Sequence, residues 1–300
     1  MKTKNAALYR SIGAAACAGT ALLLASSVSA QNLFVSNFQH SEIDEINSSG
    51  VITPFATGMD YPYGLVFNSA GDLFVANTAL DAGNSGYITE ITPGGTQSTF
   101  ASGLDPKAMA FNGTGNLFVG DYHGGEIYEF APNGTRTTFS TGFSTPMAMT
   151  FNSLGDLFVA GGYGNGNGYI DEITPGGTTT TFASGLSFPN QLAFNAAGEL
   201  FEVDAGSSTI YEFTPGGAQS TFASVTNVNG IAFDSAGDLF AVSSDGPIYK
   251  FAVGGGESTF TTEAAGAANL AFQPVPEPTT LGLIGAGGFI FAVRRRTQKS

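Results

Sequence analysis

One short phrase recurs six times in this chain and constrains its fold more than any other feature. It reads "NLFVS" at 32–36, "DLFVA" at 72–76, "NLFVG" at 116–120, "DLFVA" at 156–160, "ELFEV" at 199–203 and "DLFAV" at 238–242. Its leucine falls at 33, 73, 117, 157, 200 and 239, a period of 39–44 residues. Three further phrases recur six times each, in step with it: relatives of "GLVFN" (64–68), "YITEITPGG" (87–95) and "QSTFASG" (97–103). Each is a short run rich in Phe, Ile, Val, Tyr and Thr, bounded by Gly, Asn, Asp or Pro, which is how strands read. Four strands per repeat, six times over, predict an all-β, six-bladed β-propeller of four-stranded blades. Apolar spacings of three and four, which helical repeats require, are missing.

The phase of the repeat predicts how the ring closes. With strands named A ("GLVFN"), B ("DLFVA"), C ("YITEI") and D ("STFAS"), the body opens on B at Leu33 and ends on A at Leu270. The first blade is therefore expected to take B, C and D from the amino end and A from the carboxyl end, pairing the two terminal strands. Short Asn/Asp-to-Gly turns such as "NSAGD" join A to B, and "TPGG" or a variant joins C to D. Both connections are nearly uniform and emerge on one face, where Gly supplies positive φ.

The D-to-A and B-to-C connections emerge on the other face and differ from blade to blade, which is where a repeat protein can differentiate. Ligand-contacting candidates there are Asp60, Tyr63, Asp105, Lys107, Asp121, His123, Asp245 and Asn269, with Tyr61, Tyr122 and Tyr163 as further aromatic anchors. Oxygen ligands converging on the axis of an acidic body make Ca²⁺ the expected cofactor if there is one, with Asp204 among its candidate ligands. No phosphate-cradling loop, serine nucleophile elbow or Cys/His pair stands out.

Charge is unevenly distributed. Residues 31–273 hold three basic residues (Lys107, Arg136, Lys250) against 23 acidic ones, a formal charge of −20. Such a body repels phosphate backbones, so nucleic acid is not an expected partner. The single cysteine, Cys17, lies in the amino-terminal apolar run, so no disulfide is expected in the body.

Both ends read as addresses. Residues 1–30 have a basic start (Lys2, Lys4, Arg10), an apolar run and small residues before Ala30, predicting a signal peptide removed by signal peptidase between Ala30 and Gln31. At the other end, Leu281–Val293 is uncharged and Arg294, Arg295 and Arg296 follow it. As a helix its 13 residues would span about 20 Å, short of a ~30 Å hydrocarbon core. A short apolar helix is expected at each end. The order "VPEP", with Pro276, Glu277 and Pro278, then apolar run, then basic cluster, resembles the PEP-CTERM sorting signal. That resemblance implies processing by an exosortase, transient inner-membrane anchoring of a 274–300 tail, and a final place at the cell surface or in the extracellular matrix of an exopolysaccharide-making bacterium with an outer membrane.

The 31–273 body resembles NHL-type propellers and, more distantly, the gluconolactonase and virginiamycin B lyase propellers. "FPNQLAF" (188–194) and "NVNGIAF" (228–234) are similar to the metal-binding Asn segments of the lactonases, which implies Asn190 and Asn229 as ligands. The lactonases' "EGP" segment and the lyases' His pair have no counterpart here. The expected function is a binding or structural module for a glycan, a surface protein or a cation, without catalysis. The alternative is a metal-dependent lactonase- or lyase-like enzyme working in the central channel.

Overall fold

The computed structural model describes residues 31–78, 85–164 and 166–275; the expected leader, terminal helices and sorting residues, and Asp81 of the longest B-to-C loop, lie outside them. Twenty-four strands form six antiparallel four-stranded sheets among the described residues. Blade 1 contains β1 (Leu33–Asn37), β2 (Glu42–Ile46) and β3 (Ile52–Thr57). Blade 2 is β4 (Pro62–Phe67), β5 (Leu73–Asn77), β6 (Gly86–Ile91) and β7 (Gln97–Leu104). Blade 3 is β8 (Pro106–Phe111), β9 (Leu117–Asp121), β10 (Glu126–Phe130) and β11 (Arg136–Thr141). Blade 4 is β12 (Ala148–Phe151), β13 (Leu157–Gly161), β14 (Gly168–Ile173) and β15 (Thr179–Leu186). Blade 5 is β16 (Pro189–Phe194), β17 (Leu200–Asp204), β18 (Thr209–Phe213) and β19 (Gln219–Ser224). Blade 6 is β20 (Val228–Phe233), β21 (Leu239–Ser243), β22 (Ile248–Phe251) and β23 (Glu257–Thr261). The last strand, β24 (Ala267–Phe272), returns to blade 1 and pairs antiparallel with β1, Leu33 opposite Phe272 and Val35 opposite Leu270. The ring is closed as the phase of the repeat predicts.

Strand B is the buried strand of every blade; all five of its residues are inaccessible in each. Strand D faces water along most of its length. The B-strand Phe makes one aromatic cluster per blade seam. It packs edge-to-face on the D-strand Phe of its own blade and on the A-strand Phe of the next, as Phe118 does on Phe139 and Phe151. The same triad recurs at all six seams, ending with Phe240, Phe260 and the returning Phe272. Ring centroids near 5 Å in this geometry add attraction beyond area burial.

Local chemistry sets the turns. In the A-to-B hairpin the Asn68 Oδ1 accepts the amides of Ala70 and Asp72, and Gly71 takes φ +89°, a conformation open to Gly. Asn112, Asn152, Asn195 and Asp234 repeat the arrangement in blades 3 to 6. The face carrying these uniform turns is called the lower face below; the variable connections form the upper face.

Candidate functional site

In four of the six blades the second residue of the A strand sits at the upper mouth of the central channel. In blades 2, 3, 5 and 6 these are Tyr63, Lys107, Asn190 and Asn229. Blades 2 and 5 stand opposite one another, and the Tyr63 hydroxyl donates across the channel to Asn190 Oδ1 at 2.5 Å. Asn190 Nδ2 donates to the Asn229 carbonyl at 2.8 Å, and Asn229 Nδ2 to the Ala267 carbonyl at 3.4 Å. One residue deeper, the Gln191 and Asn269 amides exchange hydrogen bonds of 3.1 and 3.2 Å past blade 6. Ser36 Oγ donates to the Tyr63 carbonyl and accepts from the Asn269 amide. Side chains therefore bridge the channel below its upper mouth. Gly64 makes room for this crowding: a Cβ there would run into the carbonyl oxygen of Lys107.

Lys107 lies between two aromatic faces, its Nζ 4.5 Å from the Tyr63 ring centroid and 4.3 Å from that of Tyr122. Burial lowers its pKa to about 8, against the opposing charge of Asp105. Cation–π attraction also favours the ammonium form. Burial in turn raises the Asp105 carboxyl above the usual carboxylate range, and its hydrogen bond to His123 Nδ1 works the other way. The Tyr63 phenol is pushed well above its ordinary value, chiefly by burial. Tyr122 is held by its amide, which donates to the Asp105 carbonyl. Next along the rim, exposed Tyr163 packs on Phe188 with centroids 4.5 Å apart.

Of the residues singled out from sequence, Tyr63, Asp105, Lys107, His123 and Asn190 thus belong to one connected group. Others are loop fasteners. Asp204 accepts the amides of Ser187 and Ser207, one on each carboxylate oxygen. Asp121 accepts the Gly124 amide, and Asp245 the exposed side chain of Asn227. The Asp60 amide donates to Asn77 and the Asp60 side chain is exposed. Asn269 belongs to the channel bridge, as does Asn229 through Ala267. Of the Ca²⁺ candidates, Asn190 Oδ1 and both Asp204 carboxylate oxygens are already engaged in hydrogen bonds, and Asn229 donates through Nδ2. Among the described residues no group of three or more His, Cys, Asp or Glu could hold a metal ion. Gln191 and Ser36 are not among the sequence candidates; Gln191 stands where neighbouring blades carry Ala148 and Gly230, and Ser36 where they carry Ala76 and Val242.

On the lower side the channel opens into a cavity of about 610 Å³ lined mainly by apolar A-strand residues, among them Leu65, Met109 and Ile231. Gln31 and Pro274, near the two ends of the body, are at its rim.

Residues 274–296 match the PEP-CTERM protein-sorting motif. That match marks the chain for export, with a transient membrane anchor and processing by an exosortase. No curated protein matches the chain in sequence. Among solved structures, it is similar to one in a nidogen/laminin complex, with 17% identity and a TM-score of 0.71, over 82% of this chain and 99% of that one. It is also similar to virginiamycin B lyase from Staphylococcus aureus, with 16% identity and a TM-score of 0.60, over 80% and 87% of the two chains. A protein described as a putative gluconolactonase gives 16% identity and a TM-score of 0.61, over 72% and 82%. At these identities the likeness is one of fold. No helix of the described residues is long and apolar enough to cross a membrane.

Proposed function

We propose that this chain is an exported propeller, held at the cell surface or in the extracellular matrix, that binds a saccharide at the upper mouth of its channel. The observation that carries this reading is the group around Lys107. An ammonium, a carboxylate–imidazole pair and phenolic rings stand together on the variable face, and the Tyr163–Phe188 platform extends the rim. Flat aromatic faces beside mixed donors and acceptors suit a ligand that is both ring-shaped and hydroxyl-rich.

The test is binding of the body to extracellular polysaccharide fractions, by calorimetry and affinity electrophoresis. Tyr163 is 63% exposed, so Tyr163→Ala should leave the melting temperature unchanged. Its affinity, and that of Lys107→Met, should fall by about tenfold or more, which is about 1.4 kcal/mol. Ser102→Ala, on the outer strand of blade 2, should bind like the parent. Absence of binding by the parent, or undiminished binding by both rim variants, overturns the proposal.

One observation favours a second reading. An imidazole paired with a carboxylate at a channel mouth can act as a general base, so a lactonase- or lyase-like activity would centre on Asp105 and His123. It requires turnover of a lactone or cyclic ester that His123→Ala abolishes.

A further inference from the structure

The point at which the chain leaves the ring is fixed from three sides. The Gln273 amide donates to the Asn32 carbonyl at 3.1 Å. Gln31 Nε2 donates to the Gln273 carbonyl at 2.8 Å. Gln31 Oε1 accepts the Ser235 amide, from the A-to-B turn of blade 6, at 2.7 Å. This clasp joins both ends of the body to the neighbouring blade on the lower face. The sorting motif begins at residue 274, directly after it.

Chain length then sets a distance. Pro276 is three residues beyond Gln273, so it lies within about 10 Å of it even if the chain is fully extended. A single helix with its side chains is about 10 Å across. No protein can close around Pro276–Pro278 without touching the turns that surround the exit. We infer that the lower face, at the seam of blades 6 and 1, is the surface that meets the membrane enzyme reading the sorting motif. This rests on the reading that the motif is processed. It also directs the upper mouth, with Lys107 and Tyr163, away from the membrane while the tail is attached.

The test uses the full chain in membranes containing the exosortase, with Cys17→Ser and one new cysteine carrying a bulky polyethylene-glycol maleimide. Ser235→Cys and Ser69→Cys place it on exposed lower-face turns; Tyr163→Cys places it on the upper face. Processing is read as loss of tail mass. The label at Ser235 or Ser69 should slow processing by about tenfold or more, and the label at Tyr163 should not. Either lower-face position suffices if the other variant misfolds. Equal rates in all labelled chains, equal slowing from both faces, or slowing from Tyr163 alone overturns the inference. An unlabelled chain that keeps its tail refutes processing itself, which is a separate failure.

Discussion

A chain ending at Gly266 is expected to lose its cooperative fold, whereas one ending at Val275 is expected to melt like the full body. The nine residues between the two ends include β24, the inner strand of blade 1. Without β24, β1 keeps β2 but loses its partner on the channel side and becomes an exposed edge. Ala267, Ala268 and Leu270 are buried, and Ala267 and Leu270 pack with Leu33, Val35, Phe240 and Val242 in the closing seam. Phe272 completes the aromatic triad on Phe240. Truncating one buried Leu costs about 2–5 kcal/mol. Losing the whole strand, one triad and the ring constraint together reaches the total of about 5–15 kcal/mol that keeps a domain folded. Far-ultraviolet circular dichroism during urea titration checks it. A sharp transition in the shorter chain, within a few tenths molar of the longer one, would mean that closure is dispensable.

The ring was legible in the sequence because each blade is specified by local signals repeated six times. Asx-to-Gly turns, alternating strands and a Phe beside each B-strand Leu all fall within one period. Closure was legible from phase alone, since a ring that opens on B and ends on A has one economical pairing. The upper site was legible only in outline. Asp105, Lys107 and His123 stand out in variable loops, and the fold brings them together. The Tyr63–Asn190 bridge joins residues 127 positions apart, and it exists only because blades 2 and 5 face each other across the axis. Asp204 and Asp121 looked like ligands for the reason that makes them good fasteners: a carboxylate at a loop entry finds backbone amides first. "ELFEV" carries its anomaly openly, yet a Glu in a B strand means little until the burial of that position is known.

The lower face shows a comparable limit. In five of the six blades the residue before the B-strand Leu interacts with a C-strand residue of the same blade: Asp238 with Lys250, Asn32 with Glu45, Asn116 with Glu129, but Asp72 with Glu90 and Glu199 with Glu212. The last two pairs set like charges together; partial burial chiefly, and the like charge secondarily, raise the carboxyls of Glu90 and Glu212. Like-charge pairs of this kind oppose the compact state at neutral pH. They leave the ring resting on its apolar seams, which is why closure matters so much to it.

Glu202→Val is expected to stabilise the protein and to flatten its pH dependence. Glu202 stands in β17 where blades 1 to 4 carry Val35, Val75, Val119 and Val159 and blade 6 carries Ala241. It is 0% exposed, and neither carboxyl oxygen has a hydrogen-bond partner. Strand alternation puts it on the face of Leu200, which packs with Ala148, Phe158 and Ala160 of blade 4. Burial, and secondarily the charge of Asp204, raise its pKa well above the ordinary value. An unpartnered buried polar group costs about 1–3 kcal/mol, so removing it should recover about that much. For a body of this size each kcal/mol moves the melting temperature by about 2–4 °C. The sign with pH follows from linkage. A carboxyl whose folded pKa is raised holds its proton more tightly when folded. Its contribution is fully present below the unfolded value and is lost as pH rises through the folded value. The parent should therefore melt progressively lower as pH rises above about 4.5 into the alkaline range. Glu202→Val should show a shallower slope, with the remainder carried by groups such as Glu90 and Glu212 that are shifted in the same direction. Glu202→Gln should share the shallower slope but recover less stability, since its amide is also left without partners. Melting curves of the three proteins across pH decide the matter; a valine variant less stable than the parent at every pH would show that the carboxyl has a partner that repays its burial.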